Sequence, residues 1–150
     1  MIAVLPPDRP NPLVRGGDEA LAALCEAADA LDRACAAGDE RAFAAVTTAD
    51  YRRELAARLQ AVDAELGPAT LQAISAAAPQ RGWLDRPVLA TQGAGERAAI
   101  AVQRPDGDGA QLLEFVWDGR AFRLDRAHHA AAVRDRATAR AAVAAAVVRQ

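Results

Sequence analysis

Apolar side chains in the first half of the chain recur at helical spacing, and in the second half they alternate. From residue 18 to about residue 37, Leu21, Leu24, Cys25, Ala28, Leu31 and Cys35 share one helical face, with Asp18 placed to cap its start and Gly38 to end it. Asp39 opens a short second helix carrying Phe43 and Val46. Thr47 or Thr48 then opens a third, on which Tyr51, Leu55, Leu59, Val62 and Leu66 return every three to four residues until Gly67-Pro68. A fourth segment around Leu71 and Ile74 ends at Pro79, and the stretch QRGWLDRP after it is a loop. Ahead of all this, residues 1–17 hold Pro6, Pro7, Pro10, Pro12 and Gly16-Gly17, which suit neither a helix nor a central strand, so they read as an extended arm.

From Val88 the period falls to two and the punctuation becomes that of hairpins: GAG at 93–95, PDGDG at 105–109 and Asp118-Gly119. Four strands are predicted, near 88–92, 97–104, 110–117 and 120–125. A two-residue Asp118-Gly119 loop sets Trp117 opposite Arg120, Phe115 opposite Phe122 and Leu113 opposite Leu124, with Glu114–Arg123 and Val116–Ala121 on the other face. The side holding Leu113, Phe115, Phe122 and Leu124 needs a cover, and the apolar stripes of the N-terminal helices supply one. The expected fold class is therefore α+β: N-terminal helices on one face of a curved, roughly four-stranded antiparallel sheet. The strand at 97–104 has two registers open to it. Pairing of Arg104 with Ala110 turns Ala99 and Ala101 inward, whereas a bulge at Gly109 turns Ile100 and Val102 inward. After Asp125 the alanine-rich run AHHAAAVRDRATARAAVAAAVVRQ predicts a C-terminal helix, dividing the chain into an arm at 1–17, a domain at 18–126 and a helix at 127–150.

The helical half around ACAAGDERAFAAVTTADYRRELAARL and the closing EFVWDGRAFRLDR hairpin resemble the nuclear transport factor two-like, or cystatin-like, α+β superfamily over about residues 20–126. The resemblance implies a bent sheet wrapped around a long helix, a cone with an apolar hollow. Similar proteins include isomerases, dehydratases and epoxide hydrolases as well as many ligand- or partner-binding modules. The enzymes need positioned acids or hydrogen-bond donors in the hollow. Here the inward positions Leu113, Phe115, Trp117, Phe122 and Leu124 cannot move a proton, so no catalytic set is assigned. With Tyr51 and Trp83 these five are instead the candidate lining for an apolar small molecule, and Leu112, Val116 and Ala121, on the outer sheet face, are the candidate homodimer interface.

Composition narrows the chemistry further. A chain of 150 residues supports one core, and much of its 52% hydrophobic content is alanine, so that core depends on a few large side chains. All 18 basic residues are arginine, and the formal charge of -2 argues against whole-surface attraction to nucleic acid or acidic membranes. The five arginines after Asp125 make a basic segment, but its stripe of His129, Val133, Arg136, Arg140, Val143 and Val147 is neither clean basic nor clean apolar, so nucleic acid is an unfavoured partner. Cys25 and Cys35 lie ten residues apart on one helix, about 15 Å at 1.5 Å per residue, too far for a disulfide. With an N-terminus MIAVLPPDRP that has no apolar signal core, this predicts a reduced, cytoplasmic protein, and no apolar run is long enough for a membrane span. Tyr51 sits on an apolar stripe and Asp85 in a loop. Adjacent His128 and His129 point about 100° apart on a helix, so neither a metal site nor a cofactor is expected. The functional expectation is a non-catalytic ligand-binding or interaction module, with a lyase, isomerase or hydrolase using the cone as first rival and a nucleic-acid binder as second.

Overall fold

In the computed structural model, which describes residues 17–77, 88–104 and 109–148, the helical periodicity of the first half becomes four helices and the alternation of the second becomes four strands. Local chemistry fixes most of the helix ends. Helix α1 (Gly17–Ala37) stops at Gly38, whose φ of +65° suits glycine. The Gly38 N–H donates to the Cys35 carbonyl (3.1 Å) and the Asp39 N–H to that of Ala34 (3.0 Å), a pair of bonds that satisfies the last carbonyls. Asp39 caps α2 (Glu40–Ala45) by accepting from the Ala42 N–H, and Thr48 caps α3 (Ala49–Gln60) by accepting from that of Tyr51. The third helix does not run on through Leu66. Asp63 takes φ +56° and the Ala64 N–H returns to the Leu59 carbonyl, which leaves Val62 72% exposed. Helix α4 (Pro68–Ala77) begins on Pro68, whose fixed φ suits a first turn.

Strands β1 (Val88–Ala94), β2 (Arg97–Gln103), β3 (Ala110–Trp117) and β4 (Phe122–Ala130) form an open antiparallel sheet in the order β1-β2-β3-β4. The expected cover is present. Leu24, Ala28, Leu31 and Cys35 of α1, with Phe43 and Leu71, close over Ile100, Val102, Leu113, Phe115, Trp117, Phe122 and Leu124. Phe115 and Phe122 are each 1% exposed. Between β2 and β3 the register takes the second of the two alternatives: Gln103 lies opposite Ala110 and Ile100 opposite Leu113, so Ile100 and Val102 fill the inner side. Gly109 carries the adjustment at φ +80°.

Two expectations about the end of the chain are corrected. In the last hairpin Trp117 faces Phe122 rather than Arg120, and Phe115 faces Leu124 rather than Phe122. Asp118 is the reason. One of its carboxylate oxygens accepts from the N–H groups of Arg120 and Ala121, both at 2.8 Å, and the other from Arg123 Nε at 2.5 Å, which stabilises a four-residue loop over the two-residue one. The slip is by two residues as far as Phe115–Leu124, so those side chains keep their faces, and past it an extra residue, Asp125, makes it three, setting Glu114 opposite Arg126. The strand then continues past Asp125 to Ala130, where a helix was expected, because Ala110–Glu114 need hydrogen-bonding partners that only this stretch supplies. The C-terminal helix α5 is Arg136–Val148, opened by Asp135, which accepts from the Thr138 N–H at 2.8 Å.

Helix α5 also corrects the outer face. Val133, Ala139, Val143, Ala146 and Val147 pack on Ala99, Ala101, Ala110 and Leu112, so Leu112 is buried under this chain's own helix. Val116 stays half-buried beyond the helix, and Ala121 lies exposed in the hairpin loop. On the far edge of β4, the link between α2 and α3 acts as a short parallel strand: Leu124 N–H donates to the Val46 carbonyl (2.8 Å) and Thr48 N–H to that of Leu124 (2.9 Å). The buried Thr47 between them donates to the Phe43 carbonyl and accepts from Arg52, which holds the link in place.

A Cβ on residue 109 would lie 2.6 Å from the Ala130 carbonyl oxygen and 2.7 Å from the Ala131 Cα. With strain of about 1–3 kcal/mol for a left-handed non-glycine residue added to that clash, Gly109→Ala is expected to destabilise by about 2 kcal/mol or more in urea unfolding. Burial alone would raise the Asp118 carboxyl, but its backbone bonds to Ala121 and Arg120 and its pairing with Arg123 outweigh burial and hold it below the ordinary 3.8. A depressed carboxyl stabilises the fold above its unfolded value and loses that contribution as pH falls through its folded one. Asp118→Ala therefore lowers the melting temperature at pH 7, and the gap to wild type narrows as the pH is taken below about 4.

Candidate functional site

A central strand covered on both faces has little room for charge, and along β3 the sole charged residue is Glu114. It is 2% exposed, and neither carboxylate oxygen has a hydrogen-bond partner. Such a group carries a large desolvation cost unless something compensates it. Two cationic or potentially cationic side chains approach without bonding. Arg97 Nη2 is 3.8 Å from one oxygen, and His128 Nδ1 is 4.0 Å from the other. Both lie beyond hydrogen-bond distance.

The surroundings follow from strand alternation and one bulge. Arg97, Glu114 and His128 point to the outer face from β2, β3 and β4, with Arg126 directly opposite Glu114 in register. Between the pairs Phe115–Leu124 and Glu114–Arg126, β4 carries an extra residue, Asp125. Its carboxylate accepts from Arg97 Nη2 at 3.1 Å and from Thr48 Oγ1 at 2.7 Å, and Thr48 in turn caps α3. Arg97 is thereby held to Asp125 rather than to Glu114. Beside this chain of contacts, Asp50, Arg53, Glu54, Asp125 and Arg126 line a shallow recess of about 200 Å³. Helix α5 packs chiefly over β1 and β2 and reaches β3 near Ala110 and Leu112, so this corner of the outer face stands beside the helix.

The residues singled out from sequence are dispersed. Leu113, Phe115, Trp117, Phe122 and Leu124 come together, but as core: Phe115 meets Phe122 at 6.4 Å between centroids and Trp117 meets Phe122 at 5.1 Å, both edge to face. Tyr51 packs at the margin of that core, tilted against Phe43 at 6.3 Å. Trp83 and Asp85 lie outside the described residues. His128 and His129 sit on a strand and so point to opposite sheet faces. Among the described residues no three His, Cys, Asp or Glu side chains converge as metal ligands, and no helix is long and apolar enough to cross a membrane. Both cysteines are free thiols. Burial, reinforced by the nearby Asp32, pushes the Cys35 thiol up to about 11, and burial raises that of Cys25, so neither is a thiolate nucleophile near neutral pH.

Sequence reading passed over Glu114 as one partner of a surface charge pair with Arg123. The signal that marks it was available: LLEFVW is an apolar run on both strand faces, broken by a single acid. No protein-family model, no curated protein and no solved structure matches the chain.

Replacing a buried, unbonded carboxylate by an apolar side chain of similar size is commonly neutral or stabilising, whereas removing its counter-charge is costly. Glu114→Leu is accordingly expected to raise the unfolding free energy by about 1 kcal/mol or more, and Arg97→Ala, which removes both the Asp125 bond and the cation nearest Glu114, to lower it by about 1–3 kcal/mol. Denaturant titration of the two variants checks both signs.

Proposed function

We propose that this chain is a binding module of the nuclear transport factor two-like type whose working surface is the outer sheet face beside α5. The observation carrying this reading is the uneven cover of that face: the C-terminal helix buries Leu112 and the alanines of β2, and leaves Val116, Arg123, Arg126 and His128 grouped around the buried Glu114. The inner side favours a core over a hollow, since Ile100 and Val102 occupy positions where alanine would have left space. Of the earlier interface set, Val116 belongs to the working surface. Leu112 is withdrawn beneath α5, and Ala121 lies in the hairpin loop.

The surface mixes Arg123 and Arg126 with Asp118 and Asp125, so a polar ligand, a partner protein or a second copy meets both signs of charge there. An apolar ligand in the interior is the competing occupant, and native mass spectrometry of the purified chain separates them. A retained small molecule or subunit is expected to be lost from Val116→Asp and Arg126→Glu and to survive the volume-conserving interior change Leu113→Met. Loss from the interior variant with retention in the outer ones, or a bare monomer throughout, overturns the reading.

A further inference from the structure

Glu114 and His128 have a relation that a binding surface does not require. The imidazole is 44% exposed on its side-chain surface, and the nitrogen nearer the protein, Nδ1, is the one turned toward the buried carboxylate at 4.0 Å. Closing that gap to a hydrogen bond takes a movement of about 1 Å, within the play of an exposed side chain. Once made, the bond fixes the proton on Nδ1 and leaves the Nε2 lone pair toward solvent. Arg97 approaches the other carboxylate oxygen, Oε1, and is itself bonded to Asp125 at 3.1 Å, so the Glu114 Oε2 that faces His128 carries no hydrogen bond. Two residues back along the same face of β4, Arg126 is exposed and borders the recess beside Asp125.

We infer that Glu114 and His128 form a base dyad on the outer sheet face, with His128 Nε2 as the proton acceptor, Glu114 as its positioning residue and Arg126 as the cation for developing oxygen charge. The substrate class that suits it is a small activated ester lying along β4. His128 Nε2 takes a proton from water as the water oxygen bonds to the carbonyl carbon, and the carbonyl π electrons move to oxygen opposite Arg126. Collapse of that oxyanion breaks the bond to the alcohol, which leaves with the proton returned from the imidazolium. No oxidant, metal or co-reactant other than water enters. The inference rests on reading the outer face as the working surface, but its chemistry is tested on the chain alone.

His129, the next residue, is also exposed, keeps interactions of its own and points to the opposite sheet face, so it serves as a histidine that a change at Glu114 does not touch. Carbethoxylation by diethyl pyrocarbonate, followed peptide by peptide, is expected to modify His128 several-fold faster than His129. Glu114→Gln should bring His128 down to the rate of His129 and leave His129 unchanged. Hydrolysis of 4-nitrophenyl acetate should fall about tenfold or more in kcat for both Glu114→Gln and His128→Asn, with KM little altered. Equal rates at the two histidines in the wild-type chain, or a His128 rate indifferent to Glu114→Gln in a variant whose melting curve shows it folded, overturns the dyad. If Glu114→Gln does not fold, the wild-type comparison of the two histidines decides alone. A fast His128 in a protein that retains no ligand or subunit would sink the binding reading and leave this one standing.

Discussion

Strand β3 is squeezed between two apolar layers, and most of the architecture follows from that squeeze. Its inward side chains Leu113, Phe115 and Trp117 require α1, Phe43 and the aromatic end of β4, while its outward Ala110 and Leu112 require α5. With so much alanine in the chain, few side chains are large enough to drive either contact, and those few are concentrated on this strand and its neighbour. The same squeeze makes Glu114 costly. A charge on a strand covered from both sides is held away from water, and the basic side chains nearest to it stand at 3.8 and 4.0 Å.

The bulge at Asp125 links the two layers. Because β4 carries one more residue than β3 there, a carboxylate emerges at the level where the α2–α3 link runs along the strand edge. It binds Thr48 on one side and Arg97 on the other. The cap of α3, the edge of the sheet and the charged corner of the outer face are thus joined through a single side chain. A shift of α3 would be felt at Arg97 without passing through the core.

The fold class was legible because periodicity at 3.6 and at 2 is a property of burial, and burial decided the outcome in α1, β2 and β3. Asp39 and Thr48 act as the caps their positions suggested. Where the reading failed, a longer-range demand overrode a local preference. The run from Arg126 to Ala130 has helical composition, yet the unpaired half of β3 drew it into the sheet, and the helix waited for the Asp135-Thr138 cap. Asp-Gly at 118–119 signals a two-residue loop, but the Asp118 side chain has three donors within reach only if the loop has four. Leu112 was read as a homodimer contact because the mixed stripe of the C-terminal helix did not tell which surface it covers. The candidate site was the least visible part, since Arg97, Glu114, Asp125 and His128 meet only once register and bulge are fixed.

The strip Val46–Thr48 laid along β4 has a consequence for how the protein behaves at high concentration. Open sheets add further chains at their rims, and unlimited growth needs two rims to be free. Here the chain's own backbone occupies the β4 rim at Leu124. A strand arriving at that position must displace the Val46–Thr48 link before it can pair with β4, so extension there competes with the chain's own fold.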